Sequence, residues 1–168
     1  MSLRTVEPRQ YRSVIGHFAT GVCVVTVQGP DGPLGMTANA VCSVSLHPLL
    51  LLVCFDNGAR TLPVVRETRR FGVNVLAEGQ QGLAARFSSK LPEREKFEGV
   101  SHRLHDGVPV LDGALAWLGC ELSQLVPAGD HVIGIGAVGL AEAGEGAPLV
   151  WYRGGYGAFE GLIASPPP

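Results

Sequence analysis

The sequence predicts a mainly β protein that folds as an antiparallel barrel with a few short helices. Seven short segments are either apolar or alternate between apolar and polar residues, and β-branched residues are frequent in them. Gly, Pro or Asp-Gly signals separate these segments, as in chains whose strands are joined by tight turns. Few stretches have helical spacing, which favours an antiparallel barrel over a sheet of alternating strands and helices.

The N-terminal part of the chain has the spacing of an amphipathic helix. Four apolar side chains recur at i, i+3, i+4 and i+7, namely Tyr11, Val14, Ile15 and Phe18. Gly21 is expected to end this helix. Two later stretches are also predicted to be helical: residues 61–70, with Thr61 as the N-cap and Pro63 in the first turn, and residues 79–89.

The predicted strands are short and follow one another closely. Between the first two, the segment GPDGPLG at 29–35 predicts a hairpin. No repeat or linker divides the chain, so residues 1–160 are expected to form one domain, with residues 161–168 as a flexible tail. The seven strands are expected at residues 22–27, 35–45, 49–55, 71–76, 114–122, 131–142 and 148–152.

The strand predicted at 35–45 alternates cleanly between two kinds of side chain. A face directed at the core would carry Met36, Ala38, Ala40, Cys42 and Val44. The opposite face would carry Thr37, Asn39, Val41, Ser43 and Ser45. Small hydroxyl and amide groups in a row could bind a neutral heteroaromatic ring and its polar tail. A solvent-facing barrel strand explains the same pattern, and the pattern alone slightly favours it.

Composition excludes several classes of protein. The chain has 168 residues, 46% hydrophobic and 17% charged, with a net charge of −2, which is typical of a folded domain rather than a disordered one. The chain has no excess of basic residues, so no nucleic-acid partner is expected. The first 13 residues contain no apolar signal core and the longest apolar run, residues 49–55, is too short to cross a membrane, so a cytoplasmic protein without a membrane partner is expected.

The cysteines and the histidine pair are predicted to be structural. The four cysteines lie in apolar segments without CxxC spacing, which predicts buried thiols rather than disulfides or a metal site. The segment HRLH at 102–105 carries two histidines at i, i+3 with no third ligand nearby, so a solvated loop is favoured over metal binding. No metal is therefore expected.

Two further segments are candidate binding sites. Residues 57–61, NGART, lead into a helix N-terminus, where free N–H groups and Arg60 could bind an anion, although ordinary capping is the more common explanation. Asp130 and His131 stand at the start of a strand that continues through Gly134 and Gly136. Two glycines on one face of a strand indicate that another backbone or a flat ligand approaches closely.

In order and spacing, these segments resemble the short-chain flavin reductase family. Members of this family have the FMN-binding split-barrel fold and form the reductase component of two-component flavin-dependent monooxygenases. The resemblance extends from about Tyr11 to Phe159. It is carried by FATGVCVVTV, GMTANAVCSVSLHPLLLLVCF, FGVNVL, ARFSS with KFEG, GDHVIGIGAV and LVWYRGGYGAF.

The resemblance assigns residues to two cofactors. It places Thr37, Ala38 and Asn39 along the isoalloxazine ring, and Ser43, Val44 and Ser45 along the ribityl chain towards the phosphate. The flavin pocket would be completed by Asn57, Arg60, Thr61, Arg86 and Phe87. The nicotinamide set would consist of Gly129, Asp130, His131, Tyr152, Arg153, Gly154, Gly155 and Tyr156. Among these, His131 is expected to position the nicotinamide rather than to donate a proton.

The implied activity is hydride transfer from NADH or NADPH to FAD or FMN. The reduced flavin would then pass to a separate monooxygenase, and the protein would be a homodimer. NADH is weakly preferred as the hydride donor, because no pair of arginines in the sequence clearly marks a 2′-phosphate site. The choice between FAD and FMN stays open.

Three alternatives remain open from the sequence. The first is a flavin-binding or carrier barrel without reductase activity, which would lack a working nicotinamide site. The second is a split-barrel oxidase acting on an organic substrate, for which a cluster of basic residues would be expected to bind a substrate phosphate. The third is an interaction barrel that binds no ligand.

Overall fold

The computed structural model describes residues 5–161 and is mainly β, as predicted. Seven antiparallel strands form one sheet in the order β3-β2-β6-β9-β10-β5-β4, and β3 also approaches β5, which brings the two ends of the sheet together. The strands are β1 (Thr20–Gly21), β2 (Cys23–Gly29), β3 (Gly32–Ala38), β4 (Val41–Leu46), β5 (Leu49–Asp56), β6 (Arg70–Val75), β7 (His102–His105), β8 (Val108–Leu111), β9 (Ala116–Ala128), β10 (His131–Ala143), β11 (Val150–Tyr152) and β12 (Gly155–Gly157).

Four helices lie outside this sheet. They are α1 (Pro8–Ile15), α2 (Thr61–Thr68), α3 (Gln81–Ser88) and α4 (Glu93–Phe97). Helix α2 packs against β2 and α3 against β3, so both helices contact one end of the sheet. The tail predicted at 161–168 lies outside the described residues, apart from Gly161.

The apolar core fills the interior of the curved sheet. Val53 and Phe55 come from β5, Phe71 and Val73 come from β6, and all four are fully buried. The rings of Phe55 and Phe71 meet edge to face with their centroids 5.9 Å apart. Burial of each such side chain stabilises the fold by about 1.5–3 kcal/mol, so the strand pattern and the barrel core support each other.

Gly134 and Gly136 of β10 contact this core. A Cβ added at Gly134 would lie 2.7 Å from the Phe55 ring, and one at Gly136 would lie 2.6 Å from the Phe71 ring. The expectation that these glycines admit a flat ligand or another backbone is therefore wrong. They make room for two aromatic rings of the core.

The strand predicted at 35–45 is two strands. The chain breaks at Asn39 and Ala40, and β4 pairs with β5 through an irregularity between Ser43 and Ser45. Val41 packs against the core, whereas Cys42 is exposed. The predicted core face is therefore wrong from Ala40 onward, because the chain break at residues 39–40 and the later bulge both change the phase of the alternation.

Two of the four cysteines follow the prediction. Cys23 and Cys120 are buried, and burial raises the pKa of the Cys23 thiol to about 11 and of the Cys120 thiol to about 12. Cys54 is half-buried and Cys42 is exposed. The prediction of buried thiols is wrong for Cys42, since the chain break at residues 39–40 changes the alternation before Cys42 is reached.

Several local predictions differ from the structure. The first helix ends at Ile15 instead of continuing towards Gly21. Thr61 is the first residue of α2 and not its N-cap, a position that Arg60 occupies. The HRLH segment at 102–105 is strand β7 and not a loop, because it pairs with β8 across the turn at Asp106. Helix α4 was not predicted, since five residues are too few to show a period.

The fold leaves the amphipathic face of α1 uncovered. None of the residues of α1 is buried. Val14 is 67% exposed and Phe18, just after the helix, is 71% exposed. Most helices in proteins are stabilised by packing of their apolar face, so this face is expected to have a partner outside the single chain.

Candidate functional site

A groove of about 560 Å³ opens where the N-terminus of α2 meets β3, α3 and α4. Thr37 comes from β3, Phe87 from α3 and Lys96 from α4, while Arg60 and Thr61 belong to the start of α2. The groove therefore brings together four residues that the sequence assigned to flavin, with Lys96 added by the fold.

Thr61 is the most unusual side chain in this groove. It is 2% exposed, and its hydroxyl has no hydrogen-bond partner within the part of the chain that the structure describes. No side chain caps α2, and Arg60 at the N-cap has helical backbone angles. A buried hydroxyl without a partner costs about 1–3 kcal/mol, and helix N-termini bind anions. A phosphate in this groove would satisfy both features.

Three charged groups border the same groove. Lys96 is 5% exposed, and its Nζ lies 3.1 Å from Glu93 Oε1, 3.3 Å from the Gly35 carbonyl and 3.4 Å from the Phe87 carbonyl. Arg60 Nη2 lies 2.9 Å from the same Glu93 oxygen. One carboxylate thus holds two cations, so this cluster keeps a net positive charge.

Glu93 also fixes the position of α4. Its second oxygen accepts a hydrogen bond from the Gly35 backbone N–H at 3.0 Å. Buried charges are tolerated when they are paired and hydrogen-bonded, which both Glu93 and Lys96 are. The network is therefore a rigid wall of the groove.

A smaller cavity of about 230 Å³ continues from Thr37 and joins the two predicted cofactor sets. It is lined by Thr37 and Asn39 from the flavin set and by Tyr156 from the nicotinamide set. Thr37 donates its hydroxyl to the Ala84 carbonyl at 2.6 Å, which fixes its orientation and leaves its oxygen free to accept. The predicted polar row thus reaches a cavity through Thr37 and Asn39.

The Asp130–His131 pair lies at the turn between β9 and β10. Asp130 Oδ1 is 2.7 Å from His131 Nδ1, and the hydrogen bond and charge of His131 lower the pKa of the Asp130 carboxyl. Asn57 binds this turn, donating its backbone N–H to the Asp130 carbonyl and its side chain to the Gly129 carbonyl. His131 also pairs across the sheet with Asp56, which lines the α2 groove.

Other predicted site residues lie elsewhere. Ser43 and Val44 are exposed on β4, which stands at the end of the sheet, and Ser45 accepts a hydrogen bond from the His47 backbone. Arg86 donates to the Glu95 carbonyl and so joins α3 to α4. Ala38 is buried in the core. The structure does not bring these residues to the α2 groove.

The C-terminal part of the nicotinamide set forms a hairpin beside α1. Tyr152 and Gly155 pair in β11 and β12, and Arg153 donates its backbone N–H to the Gly16 carbonyl at 2.9 Å. Tyr152 contacts the His17 ring edge to face at 6.2 Å. This hairpin contacts α1, whereas the Asp130–His131 turn contacts Asn57.

Sequence reasoning missed Glu93 and Lys96. Their i, i+3 spacing in EREKF was the available signal, but nothing local shows that this short helix closes a groove.

Among residues 5–161, no group of three or more His, Cys, Asp or Glu side chains is placed to hold a metal ion. In the same range, no helix is long and apolar enough to span a membrane.

Residues 15–160 match the family model described as the flavin reductase-like domain. The chain belongs to this family. It is 41% identical over 160 residues to a flavin reductase of Pseudomonas putida, covering 94% of this chain and 93% of that protein. It is 38% identical over 159 residues to the reductase subunit HsaB of a flavin-dependent monooxygenase from Mycobacterium tuberculosis, covering 92% and 84%.

Solved structures show the same likeness. The NADH:FAD oxidoreductase SgcE6 of Streptomyces globisporus has a TM-score of 0.86 and 36% identity, and the match covers 96% of this chain and 100% of that one. The predicted resemblance to flavin reductases and the split-barrel fold are confirmed. The predicted cofactors, a flavin and a reduced nicotinamide nucleotide, agree with the names of these relatives.

Proposed function

We propose that this protein oxidises NADH or NADPH, reduces FAD or FMN, and supplies the reduced flavin to a separate monooxygenase. The observation that carries the proposal is the α2 groove, in which an unpartnered buried hydroxyl, an open helix N-terminus and two cations meet. These groups fit the phosphate of a flavin. The names of the relatives supply the reaction class.

In this proposal, the flavin phosphate binds at the start of α2. Thr61 Oγ1 and the first-turn N–H groups would donate to it, with Arg60 and Lys96 supplying positive charge. The ring would then extend past Thr37 into the smaller cavity at Asn39. This placement uses the polar groups that the fold leaves available.

The chain's own residues have little covalent chemistry to perform. A bound flavin supplies the hydride acceptor and a reduced nicotinamide supplies the hydride. The protein's contribution is to hold the two in contact and to exclude alternative orientations. Asp130 holds His131 through a 2.7 Å hydrogen bond, which fixes the imidazole as a positioning group for the nicotinamide carboxamide.

The proposal is tested by following nicotinamide absorbance with the purified protein. NADH or NADPH is supplied with FAD, FMN or riboflavin in turn. Oxidation that requires added flavin and saturates with it supports a reductase. Flavin binding without oxidation by either donor would contradict the proposal and favour the carrier alternative.

We expect His131→Ala to raise the KM for NADH by about tenfold, the effect of losing one hydrogen bond to a polar ligand group. Flavin affinity should change little, because His131 lies at the β9–β10 turn and not among the residues that line the α2 groove. Steady-state kinetics at saturating flavin provides the measurement. His102→Ala, which removes an exposed histidine on β7, is the matched control. Unchanged NADH kinetics in His131→Ala would refute this role.

NADH is proposed as the preferred donor. The support is that the similar protein SgcE6 is described as an NADH:FAD oxidoreductase. The ratio of kcat/KM for NADH and NADPH, measured in the same assay, tests this preference.

We also propose that residues 1–160 act as one domain, and that the protein works in the cytoplasm, where thiols such as Cys23 and Cys120 stay reduced.

A homodimer is proposed from the uncovered apolar face of the N-terminal helix. Exposed apolar side chains of α1, of the turn that follows it and of β11 form one surface, here named the helix patch: Tyr11, Val14, Ile15, Phe18 and Tyr152. A second copy of the chain presents an identical patch, which suits a twofold interface. The helix then gains the packing that it lacks in a single chain.

We expect Val14→Glu to convert the dimer to a monomer, because a carboxylate would be buried without a partner in the helix patch. Light scattering coupled to gel filtration measures the mass. Leu104→Glu is the matched control, since Leu104 is similarly exposed but lies on β7. A wild-type protein that is monomeric and fully active would contradict the proposed dimer.

A further inference from the structure

Three arginines border a second groove. This groove, of about 890 Å³, lies between α1, the β3–β4 connection and the β11–β12 hairpin. Arg9 and Arg12 enter it from α1, and Arg153 enters from the hairpin. Asn39 lines both this groove and the smaller cavity that contains Thr37, so the two spaces adjoin.

The three guanidinium groups have no counter-charge within the part of the chain that the structure describes. Across residues 5–161, none of them has a carboxylate oxygen within 4.0 Å. Arg9 and Arg12 are at i, i+3, where like charges on a helix repel. Arg9 also lies in the first turn of α1, where the helix dipole disfavours a cation, and the acidic N-cap residue Glu7 forms no ion pair with it. An anion bound in the groove would relieve both effects.

The backbone holds Arg153 beside α1. Arg153 has a φ of 50°, in the left-handed region that residues with side chains seldom adopt. Its backbone N–H donates to the Gly16 carbonyl at 2.9 Å, which ties the hairpin to the end of α1. The fold therefore fixes an arginine from the C-terminal hairpin near two arginines of the N-terminal helix.

The inner part of the groove is apolar and aromatic. Val41 and Leu52 line it, and so does Trp151, whose ring meets that of Tyr156 with the centroids 4.9 Å apart. Flat rings stack on such surfaces, and phosphates bind arginine in bidentate fashion. An arginine cluster above an aromatic floor suits a ligand that carries both phosphates and bases.

We infer that Arg9, Arg12 and Arg153 bind the phosphates of the nicotinamide dinucleotide. This inference rests on the proposed function, since it assumes that NADH or NADPH is the hydride donor. The proposed function assigns the flavin phosphate to the α2 groove, which leaves this groove for the second cofactor. Either the pyrophosphate, common to both donors, or the 2′-phosphate of NADPH supplies the anion.

The first test measures binding and not turnover. Titration calorimetry with ADP and with 2′,5′-ADP compares the wild type with Arg12→Ala, Arg153→Ala and the double variant. Loss of one charge-assisted hydrogen bond is expected to weaken ADP binding by about tenfold or more. The three arginines are exposed, so their removal should leave the fold intact. Arg66→Ala, an exposed arginine on α2, is the matched control and should bind as the wild type.

Steady-state kinetics then identify which phosphate group of the dinucleotide the arginines bind. A rise in KM for both NADH and NADPH, with no change for reduced nicotinamide mononucleotide in place of NADH, assigns the cluster to the adenylate side of the pyrophosphate. A rise for NADPH alone assigns it to the 2′-phosphate. Either result supports the inference, and rising ionic strength should weaken the interaction in the wild type.

Two results would overturn the inference. One is ADP affinity and donor KM values that do not change in the arginine variants. The other is an increase in KM for FAD, but not FMN, with NADH unaffected, since this would assign the cluster to the flavin adenylate. Failure of the proposed function looks different, because the wild-type protein would then oxidise no donor with any flavin.

Discussion

Replacing Asn74 with alanine is expected to destabilise the protein by about 3–5 kcal/mol. Asn74 is 1% exposed and makes three side-chain hydrogen bonds, donating to the Val24 carbonyl and Thr26 Oγ1 and accepting from the Leu111 N–H at 2.8 Å. Alanine leaves these partners buried without bonds. Since small domains are stable by about 5–15 kcal/mol, the variant should lose a large fraction of its free energy of unfolding.

The chain offers two comparisons for this experiment. Thr26→Val removes the Thr26 bond to the Pro109 carbonyl and the Asn74 contact but leaves the other two Asn74 bonds, so a smaller loss is expected. Gln124→Ala removes an exposed amide from β9 and should change stability by less than about 0.5 kcal/mol. Urea denaturation measures all three. An Asn74→Ala midpoint equal to that of Gln124→Ala would contradict the assigned role.

Replacing Arg60 with alanine is expected to raise the KM for FMN by about tenfold or more, because one charge-assisted bond to the phosphate is lost. The KM for riboflavin, which has no phosphate, should change by less than about twofold. Arg60 is half exposed, so the fold should survive. Steady-state kinetics with both flavins, and quenching of flavin fluorescence on binding, provide independent measurements.

Two further variants separate a loss of phosphate binding from a general disturbance of the α2 groove. Arg66→Ala removes a cation from the exposed side of the same helix and should leave both flavins unaffected. Thr61→Val keeps the shape of the buried side chain but removes the hydroxyl, and should likewise weaken FMN more than riboflavin. Equal losses for FMN and riboflavin in Arg60→Ala would show that the phosphate lies elsewhere.

Much of the fold could be predicted from local patterns. The hairpin at GPDGPLG joins β2 and β3 as expected, and the apolar runs at 49–55 and 71–76 became β5 and β6. The phase of β4 could not be predicted, because the chain break at residues 39–40 and the bulge between Ser43 and Ser45 both change which side chains face the core. The sequence predicted a close approach at Gly134 and Gly136 but not what approaches, since the aromatic rings that fill the space come from the distant strands β5 and β6.

The candidate site was predicted in part. Thr37, Asn39, Arg60, Thr61 and Phe87 do line adjoining cavities. The expectation for Ser43, Val44 and Arg86 was carried by resemblance, and the structure places them away from the α2 groove. Whether they contact flavin in another way stays a prediction.

The sequence by itself determined the strands, the turns and the family to which the chain belongs. These features depend on neighbouring residues, through side-chain alternation, turn chemistry and motif spacing. Only the tertiary structure decided that Lys96 and Glu93 close the α2 groove, and that Arg153 joins Arg9 and Arg12. Such groupings depend on which segments, far apart in the sequence, the sheet and its helices bring together. No local sequence pattern shows which of these segments become neighbours.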